Sequence, residues 1–180
     1  MNAERAPETP ATRFLKAHGV AFTTRLYTHV EHGGTSLASR AIGLDEHAVV
    51  KTLVMEDEGK TPLVVLMHGD YRVSTRELAR QTHRKKIAPC TPEAATRHTG
   101  YLVGGISPFG TKKKMPVFTE KSLFDLPLVY INGGRRGFLV GIDPHEILRV
   151  LSPTLVEATL RTEDRRQRTE RPSASVVSCL

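Results

Sequence analysis

The chain has 180 residues, 39% hydrophobic and 25% charged, which suits one globular domain with its own core and excludes a low-complexity protein. Its most apolar run, Leu63 to Met67, is far short of the ~20 residues that cross a bilayer, and the opening MNAERAPETP lacks the apolar stretch of a secretory signal. Two cysteines, Cys90 and Cys179, are too few for a disulfide framework and point to a reducing, cytoplasmic compartment, while a formal net charge of +7 points outward, to partners.

In chain order, Thr9-Pro10 reads as an N-cap followed by proline in the first turn, opening a helix that Gly19 stops. Ala21 to Tyr27 alternates as a half-buried strand does. Ser36 to Ile42, closed by Gly43, is a short helix. Val49 to Met55 and Leu63 to Met67 flank Glu56-Asp57-Glu58-Gly59-Lys60 and read as a hairpin of buried strands. Ser74-Thr75-Arg76-Glu77 is a capping box for a helix reaching about Gln81, and Thr91-Pro92-Glu93 opens another that ends at Gly100. Val117-Phe118, Leu128 to Ile131 and Phe138 to Ile142 are strand-like. Asp143-Pro144 caps a helix through Leu151, and Leu155 to Leu160 is expected to form a last short one. Strands mixed irregularly with short helices give an α+β domain and no βαβ repeat. The expected organisation is a flexible leader over 1–8, one domain over 9–160, and a polar, disordered tail over 161–180.

The basic residues gather in runs: Arg84-Lys85-Lys86, Lys112-Lys113-Lys114 and Arg135-Arg136. A polyanionic partner and a surface selected for solubility both account for such runs. Aromatics are only 6%, which argues against a platform for stacking successive bases. Two glycine-rich segments carry more. One runs from Gly100 through Gly104-Gly105-Ile106-Ser107-Pro108 to Gly110; the other is Ile131-Asn132-Gly133-Gly134-Arg135-Arg136-Gly137. Glycine lets backbone N–H groups turn toward a ligand, so each segment suits an anion or oxyanion site, although Gly133-Gly134 also suits a plain hairpin turn. Lys51 sits in the otherwise apolar Ala48 to Met55. It must snorkel, pair with an anion, face a cavity, or lie on an edge strand facing water. The histidines offer no ligand set: His29 and His32 are three apart, but no cysteine or carboxylate completes them. No nucleophile elbow and no supported thiol nucleophile is present, and no metal or other cofactor is called for.

Taken together, Tyr27 with His29, Val50-Lys51-Thr52-Leu53, Thr99 to Pro108 and Tyr130 to Gly137 come in an order and spacing that resembles the YbaK/EbsC family of aminoacyl-tRNA deacylases. These are similar to the editing domain inserted in bacterial prolyl-tRNA synthetases. The likeness spans about Thr9 to Leu155. It implies a mixed, mostly antiparallel sheet curved into a partial barrel with helices around it, and a pocket for the 3′-terminal adenosine of a charged tRNA. It makes Lys51 the hallmark active-site residue and Gly104, Gly105 and Ile106 the backbone cradle of the ester. Tyr27, His29, Thr52, Tyr101, Ser107, Pro108, Asn132, Gly133 and Gly134 become substrate-binding residues. Lys112, Lys113, Lys114, Arg135 and Arg136 are the candidates for contacting tRNA. Asn132 stands where the best-known cysteine-specific members have serine, and Leu139 replaces a residue that is polar in some of them, so both bear on specificity. In cysteine-editing members the substrate's own thiol attacks its carbonyl, which needs no protein nucleophile. The implied substrate is Cys-tRNA(Pro), with Ser-, Thr- or Ala-tRNA as alternatives. The implied partner is prolyl-tRNA synthetase, and a monomer is the default state. A non-catalytic tRNA- or synthetase-binding module would be served by the same basic runs.

Overall fold

The structure, a computed structural model, describes residues 7–30 and 33–160; the expected tail over 161–180, most of the expected leader, and His32 lie outside the described residues. Helices begin where the sequence supplies an oxygen for an orphan amide. The side chains of Thr9, Ser74, Thr91 and Asp143 accept from the backbone N–H groups of Thr12, Glu77, Ala94 and His145. They open α1 (Pro10–Ala17), α3 (Thr75–Gln81), α4 (Pro92–Thr99) and α5 (Pro144–Leu151), while α2 (Gly34–Ala41) has no side-chain cap. Gly100 closes α4 at φ +79, a conformation that glycine adopts without a Cβ penalty.

The main sheet is mixed. It runs β1 (Thr23–Leu26), β8 (Phe138–Ile142), β7 (Val129–Arg135), β2 (Val49–Asp57), β3 (Pro62–His68), β6 (Val117–Glu120) and β9 (Thr154–Val156), with β5 (Ile87–Pro89) beside the end of β2. β2 with β7, β3 with β6, and β6 with β9 are parallel; the other pairs are antiparallel. β4 (Arg72–Val73) and β10 (Thr159–Leu160) form a separate short ladder. Alternation sorts the strands onto two faces. Val50, Val54, Val64, Leu66, Ile131 and Val140 share the main core with Leu15 of α1, Ala95 of α4 and Ile147 of α5. On the reverse face Met55, Leu63 and Val65 meet Leu78 and Ala79 of α3, and Val49, Tyr130 and Leu139 meet Tyr27, Ile42 and Leu44. Leu15, Phe109, Phe138 and Ile147 are fully buried, each contributing roughly 1.5–3 kcal/mol of transfer free energy.

Three expectations are corrected. Leu155 to Leu160 does not form a helix. Ser152 ends α5 at φ +46, and Pro153 with the β-branched Thr154 and Val156 then pairs as β9 against β6 before β10 joins β4. β2 lies between β7 and β3, so Lys51 is on an inner strand and not an edge one. Gly133-Gly134 is no hairpin turn: Asn132 pairs with Leu139 and Arg135 with Phe138, which makes the two glycines a bulge in β7 and moves the turn to Arg136-Gly137.

Candidate functional site

Strand register assembles the site. Arg25 pairs with Leu139, Leu139 with Asn132, and Lys51 with Met67. The parallel pairing of Val50 with Ile131 extends one step to set Lys51 alongside Asn132. Residues paired across a sheet share a face, so one row crosses five strands as Arg25, Leu139, Asn132, Lys51 and Met67. Tyr27 joins this face by packing against Val49, Tyr130 and Leu139. Burial raises the pKa of its phenol, with a backbone hydrogen bond from Gly137 opposing.

Lys51 is half-buried, and its Nζ donates to the carbonyl of Tyr71 at 3.0 Å. Burial lowers its pKa from the ordinary lysine value; the nearby charges of Glu46 and Asp70 oppose that shift, and Arg72 adds to it. The lysine is therefore a cation held in a partly dry place, suited to an anionic or strongly polar ligand.

The two glycine-rich segments lie against each other. Asn132, 1% exposed, donates from Nδ2 to Gly104 O at 3.2 Å and accepts at Oδ1 from Gly134 N–H at 2.9 Å. Arg136 Nε donates to Val103 O at 2.8 Å. A Cβ on Gly105 would stand 2.9 Å from Arg136 N, so the two backbones meet at a distance only glycine allows. Gly134, at φ +90, leaves no room for a Cβ beside Tyr101, and Thr9 at the start of α1 donates to Gly133 O. Gly105 N–H closes a turn onto Leu102 O at 2.9 Å. The N–H groups of Gly104 and Ile106 have no hydrogen-bond partner among the described residues. Both residues are buried, and Gly104 meets the lysine's row through Asn132.

Other residues singled out in the sequence stand elsewhere. Thr52 points to the opposite face from Lys51, 1% exposed in the main core with its hydroxyl unpartnered, so it is not in the row. Tyr101 is buried with its hydroxyl on Phe109 O at 2.7 Å, and burial pushes its pKa up to about 12; it clamps the loop instead of facing a ligand. Ser107 is fully buried and accepts from Phe109 N–H, Pro108 is buried, and the Ile106 side chain lies in the main core. His29 is half-buried, with its backbone near Gly137. The amides of Lys112 and Lys113 bond Thr99 O and His98 O, so the lysine run sits at the C-terminus of α4, where its charge also complements the helix dipole. Arg135 and Arg136 are exposed and line a cleft of about 350 Å³ with Leu26, Tyr27, Thr28 and Gly137. This cleft reaches the row through Tyr27. A further group went unread in the sequence: Glu46, His47, His68, Asp70 and Tyr71, which gather beside Lys51. Its available signal was His68-Gly69-Asp70-Tyr71, where the apolar run Leu63 to Met67 ends.

An inner-strand lysine, two apposed glycine-rich segments and a mixed sheet flanked by short helices define an α+β domain whose candidate site centres on Lys51. Comparison with known proteins gives the family. The aminoacyl-tRNA editing domain family matches residues 30–150, and the chain belongs to it. It is 24% identical over 155 residues, 86% of this chain and 94% of the relative, to EbsC of Enterococcus faecalis, a candidate Cys-tRNA(Pro)/Cys-tRNA(Cys) deacylase. It shares its fold with the crystal structure of the hypothetical protein APE2540 (TM-score 0.77, 20% identity, 84% of this chain and 100% of that one). It also shares it with that of a candidate trans-editing enzyme for prolyl tRNA synthetase (TM-score 0.74, 22% identity, 87% and 100%). Membership implies hydrolysis of aminoacyl-tRNA. Among the described residues no helix is long and apolar enough to cross a membrane.

Proposed function

We propose that the protein is a cytoplasmic trans-editing deacylase that cleaves the aminoacyl ester at the 3′-terminal adenosine of mischarged tRNA, with Cys-tRNA(Pro) as its substrate. The observation that carries this is the placement of Lys51 alongside Asn132, whose amide braces the Gly104 loop with Gly104 and Ile106 N–H groups left over. The names of the Enterococcus faecalis relative and of the trans-editing structure support the choice of tRNA. An aminoacyl ester is already activated, so orientation and oxyanion stabilisation suffice; one oxyanion donor typically contributes ~3 kcal/mol. Lys51 holds the adenosine phosphate or the ester end. In the cysteine case the substrate thiol forms the S–C bond to its own carbonyl, the C–O ester bond breaks, and the thiol proton passes to the ribose oxygen, releasing a thiolactone. For other amino acids water attacks and the free amino acid leaves.

The wall beside Lys51 bears on specificity. Leu139 is fully buried opposite Asn132 and offers no polar group, and both ends of the Asn132 amide are engaged by backbone. A site that selects a hydroxyl must bind it with hydrogen bonds, so this wall favours cysteine or alanine over serine or threonine. Arg135 and Arg136 at the adjoining cleft contact the acceptor-end phosphates, with Lys112, Lys113 and Lys114 adding non-specific attraction farther away. The chain acts as a monomer beside prolyl-tRNA synthetase. Replacing Lys51 by Ala lowers the deacylation rate by ~10² or more, as losing a charged transition-state contact does, while circular dichroism stays unchanged. A Lys51→Ala protein as fast as wild type refutes the role of Lys51.

A further inference from the structure

The row across the sheet leaves unused a polar cluster that adjoins Lys51. After β3 the chain turns through His68, Gly69, Asp70 and Tyr71, closed by Tyr71 N–H on His68 O at 3.2 Å. The rings of His47 and His68 stack 3.8 Å apart and 11° from parallel, and the Tyr71 ring stands edge-on to both at 5.0 and 5.3 Å. His47 Nδ1 lies 3.0 and 3.1 Å from the two Asp70 oxygens. His68 is fully buried, with Nδ1 2.8 Å from His47 O and Nε2 2.9 Å from Ser122 Oγ. A carbonyl only accepts, so Nδ1 carries the proton and Nε2 accepts from Ser122. Burial favours this neutral ring by lowering its pKa. Behind the turn, Thr35 of α2 reaches Glu46 Oε1 at 2.7 Å and Gly69 O at 3.0 Å. A Cβ on Gly69 would stand 2.5 Å from Glu46 O and 2.8 Å from Val49 O, so the turn fits there only as glycine.

The ligand atoms of His47, His68 and Asp70 lie within 4.8 Å of one another, close enough to raise a metal site. The geometry argues against one. Two near-parallel rings stacked at 3.8 Å cannot both aim in-plane lone pairs at one ion, and both His68 nitrogens are already bonded. The cluster instead ends at the Tyr71 carbonyl, which accepts from Lys51 Nζ at 3.0 Å.

We propose that His47, His68, Asp70 and Tyr71 form a positioning cluster for Lys51: the stacked, hydrogen-bonded turn fixes the carbonyl that orients the ammonium. This rests on the reading of Lys51 as a site residue. A lysine has a flexible four-carbon stem, and an ammonium that must meet one ligand needs a fixed acceptor to hold it. The charged groups around it are Glu46 ahead of β2, Asp70 in the turn and Arg72 of β4; the first two support the ammonium and Arg72 opposes it.

The test uses the full chain labelled with 13Cε-lysine, with the Lys51 signal assigned by its loss in Lys51→Arg. Its titration is followed in wild type, Asp70→Asn and Glu46→Gln, beside the pH profile of kcat for aminoacyl-tRNA deacylation. Asp70 is exposed, and asparagine still accepts from His47; glutamine at 46 keeps the acceptor for Thr35. The Lys51 midpoint falls in both variants, the alkaline limb of kcat moves to lower pH with it, and kcat at neutral pH falls about tenfold with KM little changed. Either an unmoved Lys51 midpoint in the folded variants or a fall in kcat with the alkaline limb in place overturns the proposal. If wild type deacylates nothing, the functional reading fails, and the Lys51 titration alone decides the cluster.

Discussion

Asn132→Ala removes the one side chain that, among the described residues, hydrogen-bonds both glycine-rich segments. The truncation leaves Gly104 O and Gly134 N–H without their partner, the first in a buried residue and the second in a half-buried one. Leaving a buried polar group unsatisfied costs ~1–3 kcal/mol; discounting the half-buried amide, which can recruit water, the pair comes to about 2–4 kcal/mol. For a chain of this size that lowers Tm by roughly 5–15 °C. Urea unfolding followed by circular dichroism gives the free energy, and deacylation assayed well below Tm gives the catalytic loss, expected because the Gly104 and Ile106 amides lose their brace. Asn132→Asp sharpens the test. Its carboxylate still accepts from Gly134 N–H but sets an oxygen against Gly104 O, so folding favours the protonated acid and raises its pKa. The variant is then best preserved at low pH and loses stability as pH rises through that raised value. A loss below ~0.5 kcal/mol for Asn132→Ala refutes the bracing role.

Gly105→Ala forces a Cβ to within 2.9 Å of Arg136 N and 3.1 Å of Arg135 C, which are backbone atoms that cannot rotate away. The loop must shift, and deacylation falls by ~10² at near-normal substrate binding, measured as a kcat against KM split. Lys51→Met at neutral pH is at least as stable as wild type but inactive, because folding a partly buried ammonium is unfavourable. Since the folded-state pKa of Lys51 is depressed, wild type gains stability as pH rises from that value toward the ordinary 10.5, so its deficit against the variant narrows across that window in urea melts. Tyr101→Phe loses the hydrogen bond to Phe109 O and about 1–2 kcal/mol, read by the same melts, and the loss is independent of pH across the neutral range because burial holds the phenol protonated to about 12.

Much of the fold was legible because its signals are local. Thr9, Ser74, Thr91 and Asp143 each announce a helix by supplying a cap, and the apolar runs from Val49 and Leu63 announce a hairpin. The final strands were misread because Leu155 and Leu160, five apart, share a face in neither a helix nor a strand and so decide nothing; what decides them is pairing with β6 and β4, which no local window contains. The same limit governs the site. Lys51 and the glycine segments stand out by composition, but whether Lys51 lies at an edge depends on β7, nearly eighty residues away in sequence. Thr52, adjacent to Lys51, was carried along by the family resemblance, and strand alternation puts it on the opposite face. Tyr101 and Ser107 proved to be internal supports of a loop that meets the row at Gly104 O. The histidine cluster escaped notice because His47 and His68 meet only through the register of β2 with β3.

Deacylation of a panel of charged tRNAs by the wild-type protein tests the central claim most directly: Cys-tRNA(Pro), Ala-tRNA(Pro), Ser-tRNA and Thr-tRNA, with Pro-tRNA(Pro) as the cognate control. The account predicts rapid loss of cysteine from tRNA(Pro) and an intact Pro-tRNA(Pro). Preferred hydrolysis of Ser- or Thr-tRNA would contradict the reading of the Asn132 and Leu139 wall, and tight tRNA binding without turnover on any member would contradict the enzyme itself.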